Sequence, residues 1–303
     1  VTDPTESLVL VVGEAHHGVR LDAFLTARLP WRSRRSVVQL IVAGAVDVNA
    51  VPAKKARRVV TGDRVALQVP AEDPASHVAD LDIEVLYEDD ELVVVNKPAG
   101  LSVHPASTCL HRNLLGWLQH RSLPEATSCG VPSVVHRLDR TTSGAIAFAK
   151  RRDLVAEFAQ QFERRQTEKR YEALVHGQPE ASGSIRLPLR VVDLQPVTVG
   201  DDGKPSHTDY TTLETTGAYS RLRVALHTGR KHQIRVHLAA IGHPIVGDHL
   251  YGPPPPVSGG PFLHAASLTL RHHGQARTFE APVPAHWDDA WRALGGDPVP
   301  DGC

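Results

Sequence analysis

One carboxylate, Asp139, lies between two guanidinium groups, Arg137 and Arg140, in the run His136-Arg-Leu-Asp-Arg-Thr-Thr-Ser-Gly144. A carboxylate held between fixed cations stays ionised near neutral pH, because opposite charge lowers its pKa. Such a group suits a nucleophile or base better than a proton donor. The apolar stretch 131–135 before it and Ala145–Ala149 after it predict strands. Asp139 is therefore expected on a loop at a strand end. Taken alone, the cluster reads as a surface ion cluster capping a turn, which is common and contributes little.

Four further segments carry chemistry-bearing side chains. In 95–105, Pro98 and Gly100 fix a tight turn after an apolar strand, and Lys97 is expected to project from it. In 167–175, Tyr171 follows Lys169 and Arg170 at a strand start, where a ring can stack a base while cations hold phosphate. A rim tyrosine that packs its ring and wets its hydroxyl has the same local sequence. The run 227–237 holds Arg230, Lys231 and Arg235 without an acid, so a clefted arginine there needs a distant carboxylate, for which Asp139 is the candidate. His227, His232 and His237 recur every five residues, which does not share a helical face, and no thiol or carboxylate completes a metal set. No metal is expected. The glycines and proline of 242–252 mark a structured loop. There is no phosphate-binding glycine loop, HExxH or GxSxG, which removes the commonest nucleotide, protease and esterase readings.

The elements that must position these groups come in irregular order. Leu21, Phe24, Leu25 and Leu29 have helical spacing, and Ser36 is read as the cap of a second helix carrying Val37, Leu40 and Ile41. Ala45–Asn49 and 62–69 alternate as strands. Further on, strands are predicted over 83–87, 91–96, 169–176 and 220–226, and helices over 154–165 and 234–241. Without regular strand–helix alternation, the fold class is α+β.

At 303 residues there is room for one large and one small domain. Hydrophobic content of 41% and charge of 22% are those of a soluble globular protein, and no apolar run reaches the length of a membrane span. The first thirteen residues hold acids and no basic region, so no secretory signal is expected. Three cysteines outside any CxxC pair suit a reducing cytoplasm. The net charge of −1 hides an asymmetry. Residues 18–70 carry ten Lys/Arg against three acids, and residues 71–100 carry nine acids against Lys97 alone. A compact basic unit is the expected electrostatic footprint for phosphate.

Helix, helix and small strands, with Arg34, Arg35 and Lys54 on exposed parts, resemble the S-four RNA-binding domain. The segments HRLDRTTSG (136–144), NKPAGLSVHP (96–105), EKRYEALV (168–175), TGRKHQIRVH (228–237), GHPIVGDHLYG (242–252) and FLHAASL (262–268) resemble, in this order, the pseudouridine synthases of the RluA type. The departures are His111–Gly130, which follows the family pattern loosely, and Ala106 in place of a frequent glycine. The resemblance implies an α+β catalytic domain over 83–293, with a mixed, largely antiparallel central sheet and flanking helices. A linker over 71–82 joins it to the small helix-helix-strand RNA-binding domain over 8–70. It implies an RNA uridine isomerase without a cofactor; a monomer is the default expectation, and the cysteines point to the cytoplasm. Large-subunit ribosomal RNA is the expected substrate and transfer RNA the alternative; a silent RNA-binding protein is the rival class. Asp139 would be the catalytic residue, Tyr171 the ring stacking on the target uracil, and Arg235 the partner of Asp139. Arg137 would hold the flipped nucleotide, Ile234 would form an apolar wall, and Lys97, Arg20, Arg34, Arg35 and Lys54 would contact RNA.

Overall fold

The computed structural model describes residues 5–29, 34–70, 78, 80–104, 112–122, 132–192 and 195–297. The chain divides into two compact units, Val1–Leu81 with His104–Arg121, and Asp82–Val103 with Ser122–Cys303. Most of the expected linker lies outside the described residues. Sequence did not anticipate that 104–121 would join the first unit. Two contacts tie it there: Trp117 Nε1 donates to the Leu81 carbonyl at 3.0 Å, and Arg112 meets Asp80 at 2.7 Å.

The first unit is built on β1 (Thr5–Val11), α1 (Leu21–Arg28), α2 (Arg34–Val42), β2 (Val46–Val48), β3 (Val51–Pro52) and β4 (Arg64–Pro70), with α3 (Leu114–Ser122) from the later segment. Its sheet has the order β1-β4-β2-β3, all antiparallel. The apolar positions of α1 recur on one face, so Leu21, Phe24 and Leu25 are buried with Leu29, against Val37 and Ile41 of α2 and Val46, Val48, Val65 and Leu67 of the sheet. Each such side chain contributes about 1.5–3 kcal/mol when fully buried. Two expectations change. The sheet begins at Thr5 because β1 pairs along the whole of β4, and Ser36 sits inside α2, which already runs from Arg34.

The second unit holds β5 (Val85–Glu88), β6 (Leu92–Lys97), β7 (Ser133–Val134), β8 (Ser143–Ala149), α4 (Val155–Glu163), β9 (Glu168–His176), β10 (Ser182–Ile185), β11 (Leu189–Arg190), β12 (Thr198–Val199), β13 (Thr208–Thr216), β14 (Tyr219–Leu226), α5 (Gln233–Ala240), β15 (Leu263–His272), β16 (Gln275–Glu280) and α6 (His286–Ala293). The central sheet has the order β10-β13-β14-β9-β15-β8-β6-β5, with β16 on β15 and β7 on β8. Among its described pairings only β15–β8 is parallel, so the sheet is mixed and largely antiparallel.

All seven residues of β8 are buried, as expected of a central strand covered on both faces. Ala145, Ala147 and Ala149 pack in one cluster with Phe158 of α4, Leu268 and Phe279. Trp287, Ala290 and Trp291 of α6 pack with Leu174, Val246 and Phe262 in another. Gly144 is required by geometry. It has φ +112°, and a Cβ there would lie 2.3 Å from the Ala265 carbonyl oxygen, where the two parallel strands meet.

Candidate active site

Asp139 lies within the irregular stretch between β7 and β8, as sequence predicts, and its carbonyl accepts the Thr142 N–H at 3.1 Å in the turn that leads into β8. The expected Arg-Asp-Arg ion cluster is not formed. Arg137 and Arg140 are both exposed, and among the described residues neither has a carboxylate within 4.0 Å. The turn sends the neighbouring side chains outward while Asp139, with 19% of its side chain exposed, faces inward.

Lys97 corrects a second expectation. It does not project from its turn toward RNA but is fully buried. Its register opposite Gly144 carries it under the Asp139 loop, where its ammonium donates to the carbonyls of Pro98 and Leu101 at 2.9 Å and of Arg140 at 3.2 Å. The Gly100 N–H also donates to the Arg140 carbonyl, at 2.8 Å. Lys97 thus pins the 98–101 turn to the loop that carries Asp139. Burial pushes its pKa down to about 7, against the support of the Asp139 charge. Since the unfolded chain keeps a lysine near 10.4, it binds the extra proton between these values, and stability rises with pH across that window. Lys97→Met strands the Pro98 and Leu101 carbonyls, while the Arg140 carbonyl keeps the Gly100 N–H, and is expected to cost about 2–4 kcal/mol. Urea titrations should show wild type gaining on this variant from about pH 7 to about pH 10.

A cleft of about 550 Å³ opens beside Asp139, lined among others by Arg137, Tyr171, Ile234 and Arg235. The structure therefore brings together four of the residues named from sequence around Asp139. Tyr171, on β9, is 6% exposed, and burial together with the Asp139 charge raises its pKa, so its phenol is protonated at rest. Ile234 is buried in the cleft wall.

Arg235, 7% exposed, does not take Asp139 as its hydrogen-bonded partner. Its Nε and Nη2 donate to the two oxygens of Asp248 at 2.6 and 2.7 Å, and Tyr251 lies over the guanidinium with 5.1 Å from Cζ to ring centroid. Burial opposes its charge, but Asp248, with Asp139 behind it, raises its pKa. Bidentate geometry and full burial explain why Asp248 wins. Sequence reasoning missed Asp248. The signal was there, since it is the only acid between Glu214 and Glu280, next to an arginine-rich run that needed one.

The three histidines of 227–237 take separate partners. His227 lies 2.7 Å from Asp209, whose other oxygen His207 meets at the same distance. His237 bridges the Leu187 carbonyl and the Thr208 hydroxyl, and His232 meets the Tyr251 hydroxyl. His136 is stacked on Phe162 and accepts the Ala147 N–H at 3.0 Å, and burial with the Lys169 charge nearby lowers its pKa to about 3. It is a neutral strut beneath the Asp139 loop.

Besides Arg235, five cations line the cleft, Arg137, Arg165, Lys169, Arg230 and Lys231, and among the described residues none of these five has a carboxylate within 4.0 Å. Burial and Arg165 lower the pKa of Lys169, a strain that an incoming anion relieves. In the first unit, Arg20 and Arg34 are less free than sequence implied. Both pair with the buried Asp22, at 2.9 and 3.0 Å. The Arg20 hydrogen bond, opposed by burial and helped by Arg34, holds Asp22 at about 2. Lys54 is exposed, and the side chain of Arg35 lies outside the described residues.

An inward carboxylate, a buried phenol and unpaired cations in one cleft suit an anionic substrate carrying a flat ring, and the comparisons with known proteins agree. Residues 91–240 match the RNA pseudouridylate synthase family and residues 19–65 match the S4 domain. An uncharacterized RNA pseudouridine synthase of Synechocystis is 36% identical over 95% of this chain and 93% of its own. The ribosomal large subunit pseudouridine synthase D of Nitrosomonas europaea is 34% identical, covering 92% and 85%. The solved human RNA pseudouridylate synthase domain containing 4 shares the fold, with a TM-score of 0.61 at 24% identity over 73% of this chain and 95% of its own. Among the described residues no helix is long and apolar enough to cross a membrane. With the order of motifs, the sheet and the cleft in agreement, the chain belongs to the RluA-type family of RNA pseudouridine synthases, preceded by an S-four RNA-binding domain.

Proposed function

We propose that this enzyme isomerises a uridine of large-subunit ribosomal RNA, working as a cytoplasmic monomer, with Asp139 as its catalytic residue. The observation that carries the site assignment is the convergence of Asp139, Tyr171 and five unpaired cations on one cleft. A uridine stacked in RNA has to leave its stack, at a cost of a few kcal/mol. Arg137, exposed at the cleft mouth, holds the flipped nucleotide and fills the space it vacates. The uracil stacks on Tyr171 against Ile234. The bond from sugar C1′ to N1 breaks, the base turns, the bond from C1′ to C5 forms, and the C5 proton leaves while N1 takes one up, so the product is an isomer. Asp139 either attacks the sugar and is displaced as the new bond forms, or removes a sugar proton and returns it. Arg235, fixed by Asp248, supplies a constant positive field behind Asp139 without spending its hydrogen bonds on it.

Support for ribosomal RNA comes from the likeness to the Nitrosomonas large-subunit enzyme across nearly the whole chain and from the S-four module. The test is tritium release from RNA labelled at uridine C5, with large-subunit RNA and transfer RNA offered separately, followed by pseudouridine mapping in a deletion strain. Release from transfer RNA alone would overturn the substrate assignment.

The exposed pair Lys54 and Lys55 offers a separate test of the first unit. Lys54→Glu with Lys55→Glu is expected to lower RNA affinity about tenfold. The slope of log affinity against log salt should fall by about 2, one for each lost phosphate contact. Binding titrations from 50 to 200 mM salt read both.

A further inference from the structure

With Arg235 committed to Asp248 and neither Arg137 nor Arg140 paired to Asp139, the reactive carboxylate has a different close neighbour. His232 Nε2 lies 4.0 Å from Asp139 Oδ1. Its side chain is 17% exposed, and its backbone is unusual: at the N-cap of α5 it has φ 54° and ψ 19°, in the left-handed region. That region suits glycine and asparagine and costs other residues about 1 kcal/mol or more. A histidine kept there by side-chain contacts points to a use for its ring.

The hydrogen bonds around the ring fix its tautomer. The Val197 N–H can only donate, and it gives its proton to the Tyr251 hydroxyl oxygen at 2.9 Å. Among the described residues the hydroxyl's own proton has one acceptor, His232 Nδ1, also at 2.9 Å. Nδ1 therefore accepts, and the single proton of the neutral imidazole sits on Nε2, the atom that faces Asp139. Burial, joined by Arg235 and Lys231, lowers the pKa of the ring against the pull of Asp139 and Asp248, which favours that neutral form. A gap of 4.0 Å is too long for a hydrogen bond. Catalytic hydrogen bonds are commonly long before substrate closes the site.

We propose that His232 is a positioning residue for Asp139. Its Nε2–H takes one carboxylate oxygen, Oδ1, and leaves Oδ2 to face the sugar, while Tyr251 and Val197 hold the ring in register. This rests on the assignment of Asp139 as the catalytic residue.

The test uses the full chain and tritium release from C5-labelled uridine RNA, with kcat and KM measured separately. His232→Asn suits the left-handed backbone and can still meet the Tyr251 hydroxyl, but it has no donor at the Nε2 position. His232→Gln places an amide N–H near that position. Asn is expected to lower kcat about 30- to 100-fold with KM within about threefold, since a misplacement of about 1 Å can cost 10²-fold. Gln should recover kcat to within about fivefold of wild type. Tyr251→Phe, which keeps the ring over Arg235, should lower kcat about fivefold, because the imidazole is left in the right place with its tautomer unfixed. Equal losses in Asn and Gln, or a parallel rise in KM, would overturn the positioning role. If His232→Asn is as fast as wild type while Asp139→Asn is inactive, the role falls and Asp139 stands. If Asp139→Asn is as active as wild type, both fall.

Discussion

Asp139→Asn is expected to eliminate tritium release from RNA labelled at uridine C5, a loss of at least about 10⁴ in kcat, with RNA affinity within about threefold of wild type. The asparagine has the same shape, and the turn that holds position 139 is made by backbone atoms, the Asp139 carbonyl and the Thr142 N–H. Lys97 pins the adjacent turn through carbonyls that the substitution leaves in place. What disappears is the negative charge, and with it both a nucleophile and a base. The five unpaired cleft cations still face the phosphates. Removing an anion from their midst should tighten binding slightly at low salt. Binding by gel shift and release by scintillation, on the same preparation, separate the two effects. A variant that loses binding and catalysis together would mean that Asp139 shapes the cleft rather than reacting in it.

Asp248→Ala is expected to cost about 3–5 kcal/mol, the range for removing one partner of a buried pair and leaving the other charged. Arg235 is 7% exposed and has no second hydrogen-bonded acid among the described residues. Asp248 also accepts the N–H groups of Leu250 and Tyr251, at 3.0 and 3.3 Å, so its loss loosens the tyrosine that holds His232. Urea unfolding should show the lower midpoint, and kcat should fall in conditions where the variant is still folded. Replacing both partners, Arg235→Met with Asp248→Leu, should regain much of the stability, since buried pairs are often no better than well-packed apolar groups. It should not regain activity. That split would show that the pair is kept for the field it places behind Asp139.

The parts of the site legible in sequence are those where one segment supplies both the group and its frame. Asp139 before a small-residue strand, Tyr171 at the start of β9, and Ile234 and Arg235 on α5 were all placed by local pattern, and the family resemblance joined them. The misreadings share one physical cause, which is that partner choice is tertiary. Nothing near Lys97 says that its register opposite Gly144 buries it under three carbonyls. Arg137 and Arg140 flank Asp139 in sequence, yet the turn points both outward. Arg235 needed a carboxylate, and the nearer candidate in chemistry lost to one thirteen residues along the chain. In the first unit, β1 carries no clear alternation: Leu8, Val9 and Val11 are exposed, Leu10 is half-buried against the core, and the strand is held by its ladder to β4.

The place of β15 in the sheet has a consequence for how the enzyme comes into being. Asp139 precedes β8 and Tyr171 rides on β9, but these strands are not neighbours, and β15 lies between them. Residues 263–272 must therefore be inserted before the carboxylate and the ring can share a cleft. On a growing chain residues 5–81 of the first unit precede the second, whereas the cleft waits for residues 263–272. Such long-range closure is intrinsically slow. A nascent chain stalled before residue 263 would carry the RNA-binding module without Asp139 and Tyr171 joined in one cleft.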